Sequence, residues 1–185
     1  MARSLYLGPW RIDVEWRDEV PHLLPATVLA RVAAAALDVA GAPRPASLGL
    51  VLSDDAELAE LNASYMGKAG PTDVLSFPLL PPEAYPAHPG KAGAGEAGGA
   101  NAGPGADFAL PPGARPHLGD IVVSVERAMD QADAGRGGQT GDVRWDARDE
   151  LRLLVTHGTL HVCGWDHAEV DEEAAMRALE RSRLA

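Results

Sequence analysis

The chain has 185 residues, enough for one domain with a hydrophobic core that needs no disulfide or structural metal to fold. Its 16 Lys and Arg residues stand against 27 Asp and Glu residues, and the resulting net charge of -11 excludes proteins that hold DNA by net positive charge. The single cysteine, Cys163, excludes an internal disulfide and any multi-cysteine metal cluster, and it fits a reducing compartment.

We expect no export signal in the first residues, because Gly8 and Pro9 stand where a signal peptide has an apolar run. The most apolar stretch, residues 23–42, is interrupted by Pro25, Arg31 and Asp38. It therefore falls short of the roughly 18 uninterrupted apolar residues that indicate a membrane span. We expect a soluble, cytoplasmic protein with no membrane partner.

Alternating or short apolar runs predict strands along the chain, and apolar residues at helical spacing predict helices between them. The predicted strands are residues 11–16, 48–52, 73–77 and 118–124. The predicted helices are residues 21–40, 54–65, 125–132, 146–163 and 169–184. Helices packed around a small mixed sheet of about four strands indicate an α+β fold.

A Pro-, Gly- and Ala-rich segment separates the third and fourth predicted strands. Residues 81–117 contain eight glycines, eight prolines and ten alanines but only five charged residues. Such a composition cannot bury enough side-chain area to offset the entropy of ordering it. We interpret 81–117 as a flexible insertion within a single domain that spans residues 1–185, rather than as a linker between two domains.

Three histidines near the end of the chain have the spacing of metal ligands. His157 and His161 lie one turn apart on the predicted helix, so both imidazoles project from one face and can reach a common ion. Gly164 follows where the helix must end, and the reversed chain can return His167 towards the pair. Three histidine ligands leave one tetrahedral position open, which is the arrangement of catalytic zinc.

The same spacing occurs in the metzincin zinc peptidases, but one residue differs. Those enzymes have a glutamate after the first histidine, and it serves as the general base. This chain has Gly158 there. The spacing supports a metal site, whereas the glycine argues against peptide hydrolysis.

Residues 157–167 resemble the H-G-x-L-H-x-x-G-[YW]-D-H signature of the YbeY endoribonucleases, the bacterial rRNA maturation factors. Further matches follow in the family's order. They are Leu61-Asn62 with Tyr65, residues 71–78, residues 118–121, and Glu150 at the start of the histidine helix.

The resemblance implies an α+β fold with one Zn²⁺ per chain on His157, His161 and His167. It also implies single-strand-selective endonuclease activity in 16S rRNA 3′-end maturation and ribosome quality control. The expected partners are single-stranded rRNA and ribosomal particles, with no role for DNA.

The chain departs from the family pattern at Met66, where the family commonly has an arginine after the tyrosine. Lys68 can supply positive charge, although a lysine lacks the bidentate phosphate geometry of an arginine. Asp73 and Lys68 are the candidate catalytic residues, while no general base is identified. Lys68, Thr72 and Ser76 are the candidate substrate-binding residues.

Three aromatic side chains, Tyr65, Trp145 and Trp165, are candidates for stacking on bases, although tryptophans at helix ends more often close a core. Two further functions stay open beside the endoribonuclease. One is a metzincin-like zinc peptidase, and the other is a non-catalytic ribosome assembly factor that zinc only stabilises.

Overall fold

The computed structural model describes residues 2–87, 115–135 and 145–165, together with Met176. In these ranges the chain forms one five-stranded mixed sheet with the order β1-β2-β3-β5-β4. The strands are β1 (Arg3–Leu7), β2 (Trp10–Trp16), β3 (Ala46–Ser53), β4 (Val74–Pro78) and β5 (His117–Ser124). The helices are α1 (Ala26–Val39), α2 (Asp55–Leu61), α3 (Val125–Asp133) and α4 (Ala147–Val162).

The three central strands, β2, β3 and β5, run parallel, and the outer strands β1 and β4 are antiparallel to their neighbours. This arrangement confirms the predicted α+β class, but it has one strand more than expected. The additional strand is β1, which pairs with β2 through residues such as Leu5 opposite Ile12. Its outward side chains, including Tyr6, are exposed, so its apolar pattern is weak.

Side-chain caps define where three of the helices begin. Asp54 accepts a hydrogen bond from the Glu57 backbone N–H (2.8 Å), and Ser124 accepts one from the Arg127 N–H (3.0 Å). Asp146 caps α4 and forms a reciprocal capping box with Asp149. These local contacts explain why the predicted starts of α2, α3 and α4 lie within one residue of the observed starts.

Helix α1 begins at Ala26, five residues later than predicted, because the preceding segment contains Pro21 and Pro25. Helix α2 ends earlier than predicted, at Leu61. The chain continues as a single π-helical turn over Asn62–Met66 before it leaves the helix. The last predicted helix, 169–184, lies outside the described residues except for Met176, which is helical and buried.

The sheet has a different helical cover on each face. Helices α1 and α4 pack on one face, where their apolar residues join Leu48, Leu50 and Ile121 in the main core. Helix α2 packs on the other face, where Leu58 meets Leu75 in a smaller cluster. Because side chains alternate along a strand, β4 contributes to both faces and separates them at the edge of the sheet.

The ends of the predicted insertion, 81–117, are packed parts of the fold, so the predicted boundaries are wrong. Tyr85 follows a 3₁₀ turn at Pro82–Ala84 and is only 4% exposed within the main core. At the other end, the Pro116 carbonyl accepts a hydrogen bond from the Ser47 N–H (2.9 Å), and His117 already belongs to β5. The prediction failed there because the burial of Tyr85 depends on distant parts of the chain, since its ring lies 3.9 Å from where a Cβ on Gly164 would stand. Residues 88–114 lie outside the described ranges.

In the part of the chain that the structure describes, none of the helices has the length and apolar character needed to cross a membrane.

Tyr85→Ala should lower the free energy of unfolding by about 3 kcal/mol, because it leaves a cavity in the main core. Leu79→Ala is the matched control, since Leu79 is 62% exposed. Its effect should stay within about 0.5 kcal/mol. Urea unfolding of the two variants measures both values, and equal stabilities would contradict the packing of Tyr85.

Candidate metal and substrate site

Two predicted metal ligands meet near the end of α4. The Nε2 atoms of His157 and His161 are 3.0 Å apart. Their ring centroids are 4.5 Å apart, and the ring planes are inclined by 81°. The one-turn spacing on a regular helix therefore brings the same nitrogen of both imidazoles to one point, as the sequence predicts.

The end of α4 determines which nitrogen of His161 is available. The Gly164 N–H donates to the His161 carbonyl (3.0 Å) and the Trp165 N–H to the Leu160 carbonyl (3.1 Å). This is a Schellman motif, and Gly164 supplies the left-handed conformation that it requires, with φ 83°. The turn brings the Trp165 carbonyl to 2.8 Å from His161 Nδ1. A carbonyl can only accept, so Nδ1 carries the proton and Nε2 keeps its lone pair when the ring is neutral.

The geometry of the pair fits two ligands of one metal ion. A tetrahedral zinc with Zn–N distances of about 2.0–2.1 Å holds two nitrogens about 3.3 Å apart. The Nε2 atoms, 3.0 Å apart, are close to that separation. His167, the third predicted ligand, lies outside the described residues. Within the described ranges, no three His, Cys, Asp or Glu side chains are grouped so that they could hold a metal.

Gly158 lies between the two histidines and faces the sheet. A Cβ at this position would lie 2.6 Å from Ile121 Cγ2 and 2.9 Å from Val74 Cγ2. The Ser76 hydroxyl donates to the Gly158 carbonyl (3.0 Å), so β4 contacts the helix backbone directly. A glutamate at this position has no room, so the contacts around Gly158 argue against the peptidase arrangement, as the sequence does.

Asp73, a candidate catalytic residue, lies just before β4 and is held by three donors. Its Oδ1 accepts from the Thr72 hydroxyl (3.2 Å) and the Val74 N–H (3.0 Å), and its Oδ2 accepts from Gln131 Nε2 (3.1 Å). Burial by itself raises the pKa of Asp73. The hydrogen bonds from Gln131, a backbone N–H and Thr72, with the charge that nearby His157 can carry, outweigh burial and hold the pKa below its ordinary value. Asp73 is therefore ionised at neutral pH.

Sequence reasoning missed Gln131. Its side chain is 8% exposed, although glutamine is usually a surface residue. In the sequence, Gln131 looks like an ordinary polar residue on the surface of α3. Its hydrogen-bond partner Asp73 is 58 residues away, so no local pattern connects the two. Only the tertiary contact identifies it as part of the site.

The three candidate substrate-binding residues have different surroundings. The Thr72 and Ser76 hydroxyls donate to Asp73 and to the Gly158 carbonyl, so both hold the protein's own site together. Lys68 is exposed in the loop after the π-helical turn, and its backbone N–H donates to the Asn62 carbonyl (3.3 Å).

Three other residues from the sequence analysis are part of the core around α4. Cys163 is buried, and burial raises the pKa of its thiol to about 12, so it stays protonated and does not act as a ligand at neutral pH. Glu150 is buried and accepts from Trp145 Nε1 (2.6 Å). Trp165 is buried too, so its ring is not accessible for stacking on a base.

Comparison with known proteins identifies the family of this chain. The family described as "Endoribonuclease YbeY" matches residues 12–185. The chain belongs to the YbeY endoribonuclease family. Endoribonuclease YbeY of Salinispora tropica is 41% identical over 155 residues, which cover 83% of this chain and 82% of the relative. Endoribonuclease YbeY of Thermobifida fusca is 36% identical over 157 residues, 85% of this chain and 82% of the relative.

A solved structure supports the fold alone. The solution structure of a Thermotoga maritima protein superposes with a TM-score of 0.50 at 19% identity, covering 94% of this chain and 86% of that one. Position 66 departs from the expected family pattern, since this chain has Met66 where the resemblance leads us to expect an arginine. Met66 lies in the π-helical turn and is 46% exposed.

Asp73→Asn should lower the free energy of unfolding by about 1 kcal/mol at neutral pH, because the hydrogen bonds and the charge that favour the carboxylate lose their partner. The pKa of Asp73 is lowered in the folded state. Its contribution is therefore complete above the unfolded pKa of about 3.9 and is lost as the pH falls through the folded value.

Urea unfolding at pH 7 and pH 3, with a chelator present in both, measures the difference between wild type and variant. The difference in free energy of unfolding between wild type and Asp73→Asn should be smaller at pH 3 than at pH 7. A difference that is constant with pH would show that Asp73 does not depend on its charge.

Proposed function

We propose that this YbeY-family chain is a zinc-dependent endoribonuclease that cleaves single-stranded RNA. We further propose that its substrate is rRNA, in 16S rRNA 3′-end maturation and ribosome quality control, and that it acts in the cytoplasm. The observation that carries the proposal is the His157–His161 pair with its two Nε2 atoms 3.0 Å apart, in a chain whose relatives are named endoribonucleases.

His157 and His161 would hold the zinc, with His167 as the predicted third ligand. When bound, zinc supplies Lewis acidity for cleavage of a phosphodiester. The chain prepares its ligands in advance, because the Trp165 carbonyl orients His161 and keeps its Nε2 free of a proton in the neutral ring.

Asp73 is not suited to act as the general base. A carboxylate whose pKa is lowered is a weak proton acceptor at neutral pH. It is instead a fixed negative charge, held in place by Gln131 and Thr72 near His157. We assign it the role of orienting cationic or hydrogen-bond-donating groups at the site.

The peptidase alternative is disfavoured by Gly158. The close contacts of this residue with Ile121 and Val74 leave no space for the carboxylate that the peptidase mechanism places there. The second alternative, a ribosome assembly factor that zinc only stabilises, is tested by the chelator experiment below.

Purified protein should contain about one zinc per chain and should cut single-stranded RNA faster than duplex RNA or single-stranded DNA of the same sequence. His161→Ala should lose both zinc and cleavage, because it removes one of the two paired nitrogens. His22→Ala is the matched control, since His22 stacks on Trp16 and belongs to no predicted ligand set. Elemental analysis and gel assays of a 16S rRNA 3′ fragment measure the two properties.

A chelator separates the remaining alternatives when circular dichroism is recorded in parallel. Loss of cleavage with the fold retained supports the endoribonuclease. Unfolding on removal of zinc from a protein that never cleaves RNA would instead favour the structural role.

Met66→Arg should increase RNA cleavage at low salt. An added charge-assisted phosphate contact stabilises binding by on the order of 1.5 to 3 kcal/mol when the geometry permits. Met66 is partly exposed, so the substitution does not disturb the core. Met66→Lys is the matched control, because a gain with arginine alone indicates bidentate contact, and equal gains indicate added positive potential. Zinc content should not change, and no gain with either variant would place Met66 away from the RNA.

A further inference from the structure

The π-helical turn at Asn62–Met66 presents an aromatic ring to solvent. The side chain of Tyr65 is 68% exposed. Isolated π-helical turns cost hydrogen-bond geometry and occur frequently at functional sites. Gly67 ends this turn with φ 64°, which places Lys68 directly after it.

The turn is held in one conformation by a buried side chain. Asn62 Nδ2 donates to the Gly70 carbonyl (2.8 Å), and the Asn62 carbonyl accepts from the Lys68 N–H. These two bonds close the loop on itself. The ring of Tyr65 also packs edge-on against Phe77, with 5.3 Å between centroids and the planes inclined by 74°. A turn with a closed backbone and one ring contact limits the conformational entropy that the ring loses when a ligand binds to it.

Tyr65 and the histidine pair lie on opposite faces of one edge strand. Phe77 points away from α4, whereas the neighbouring Ser76 donates to the Gly158 carbonyl on the α4 side. Strand β4 is the last strand of the sheet within the described residues, so its outer edge is not covered by another strand there. An RNA that contacts both His157 and Tyr65 would have to bend around this edge, which a flexible single strand does more easily than a stiff duplex.

The chemistry around the ring suits a nucleotide. Lys68, three residues after Tyr65, is exposed and forms no ion pair with any described residue. Proteins that bind single-stranded nucleic acid combine aromatic side chains that stack on bases with cations that contact the backbone phosphates. The body of the protein is acidic, with a net charge of -11, so stacking is the contribution that charge repulsion does not remove.

We propose that Tyr65 is a stacking platform for one nucleobase of the single-stranded substrate, at a position outside the two nucleotides that flank the scissile phosphate. The proposal rests on the proposed endoribonuclease function and adds a specificity-determining residue to it. Because Tyr65 lies across the edge strand from the histidines, it contributes to substrate affinity and not to the chemical step. It also favours single strands, since both faces of a base inside a duplex are covered by its stacked neighbours.

The test combines two variants with a set of RNA substrates, each carrying one abasic nucleotide. Tyr65→Leu keeps an apolar contact with Phe77 but has no planar face, and Tyr65→Phe keeps the face. In wild type, one abasic position outside the cleaved dinucleotide should raise KM about ten-fold with kcat unchanged, the size expected for one stacked base. Tyr65→Leu should raise KM for intact RNA by the same factor and be insensitive to that abasic position. Tyr65→Phe should behave as wild type.

An abasic penalty that persists unchanged in Tyr65→Leu, or a kcat loss in place of a KM increase, would overturn the proposal. Failure of the proposed function is recognised separately, because wild type then cleaves none of the substrates. In that case equilibrium binding of the same RNA set to wild type and Tyr65→Leu decides the stacking question. Thermal unfolding of both variants shows whether the exposed ring has a structural role, and a large loss of stability in Tyr65→Leu would count against the proposal.

Discussion

The close approach of α4 to strands β4 and β5 at Gly158 determines where the candidate site can form. The helix backbone comes so near the sheet that a single added carbon would contact Ile121 and Val74. The Ser76 hydroxyl adds a hydrogen bond to the Gly158 carbonyl at the same point. On a helix, His157 and His161 are rotated by about 60–100° to one side of Gly158, so the contact places both imidazoles at the rim of the sheet instead of inside the core.

Polar contacts, one local and one from a distant segment, then complete this rim. The Schellman turn at Gly164 brings the Trp165 carbonyl to His161 and selects its tautomer. Gln131 from α3 reaches across to Asp73 at the start of β4. Each of these groups is fixed by hydrogen bonds before any substrate or metal arrives, which lowers the cost of organising the site on binding. An acidic protein can therefore support a local site for a polyanion, because the positions of a few groups matter more there than the net charge.

Strand β4 connects the two surfaces that our proposals assign to RNA. Its side chains alternate, so Val74 and Ser76 face the histidine helix while Leu75 and Phe77 face α2 and the π-helical turn. An edge strand usually risks pairing with other chains. Here the turn after α2 folds beside it, since Tyr65 contacts Phe77. The same strand thus stabilises the metal-binding helix on one side and supports an exposed aromatic ring on the other.

The sequence by itself determined what depends on neighbours within a few residues. Period-two and helical patterns predicted the α+β class and most of the element positions, and Asp54 and Asp146 mark helix starts because capping is a contact over two or three residues. The one-turn spacing of His157 and His161 predicted their pairing for the same reason, and the combined motifs indicated the YbeY family. Only the tertiary structure decided the burial of Tyr85, the contact of Gln131 with Asp73 and the steric requirement for glycine at position 158. These features join residues that are dozens of positions apart, and their energies come from contacts that no local periodicity records.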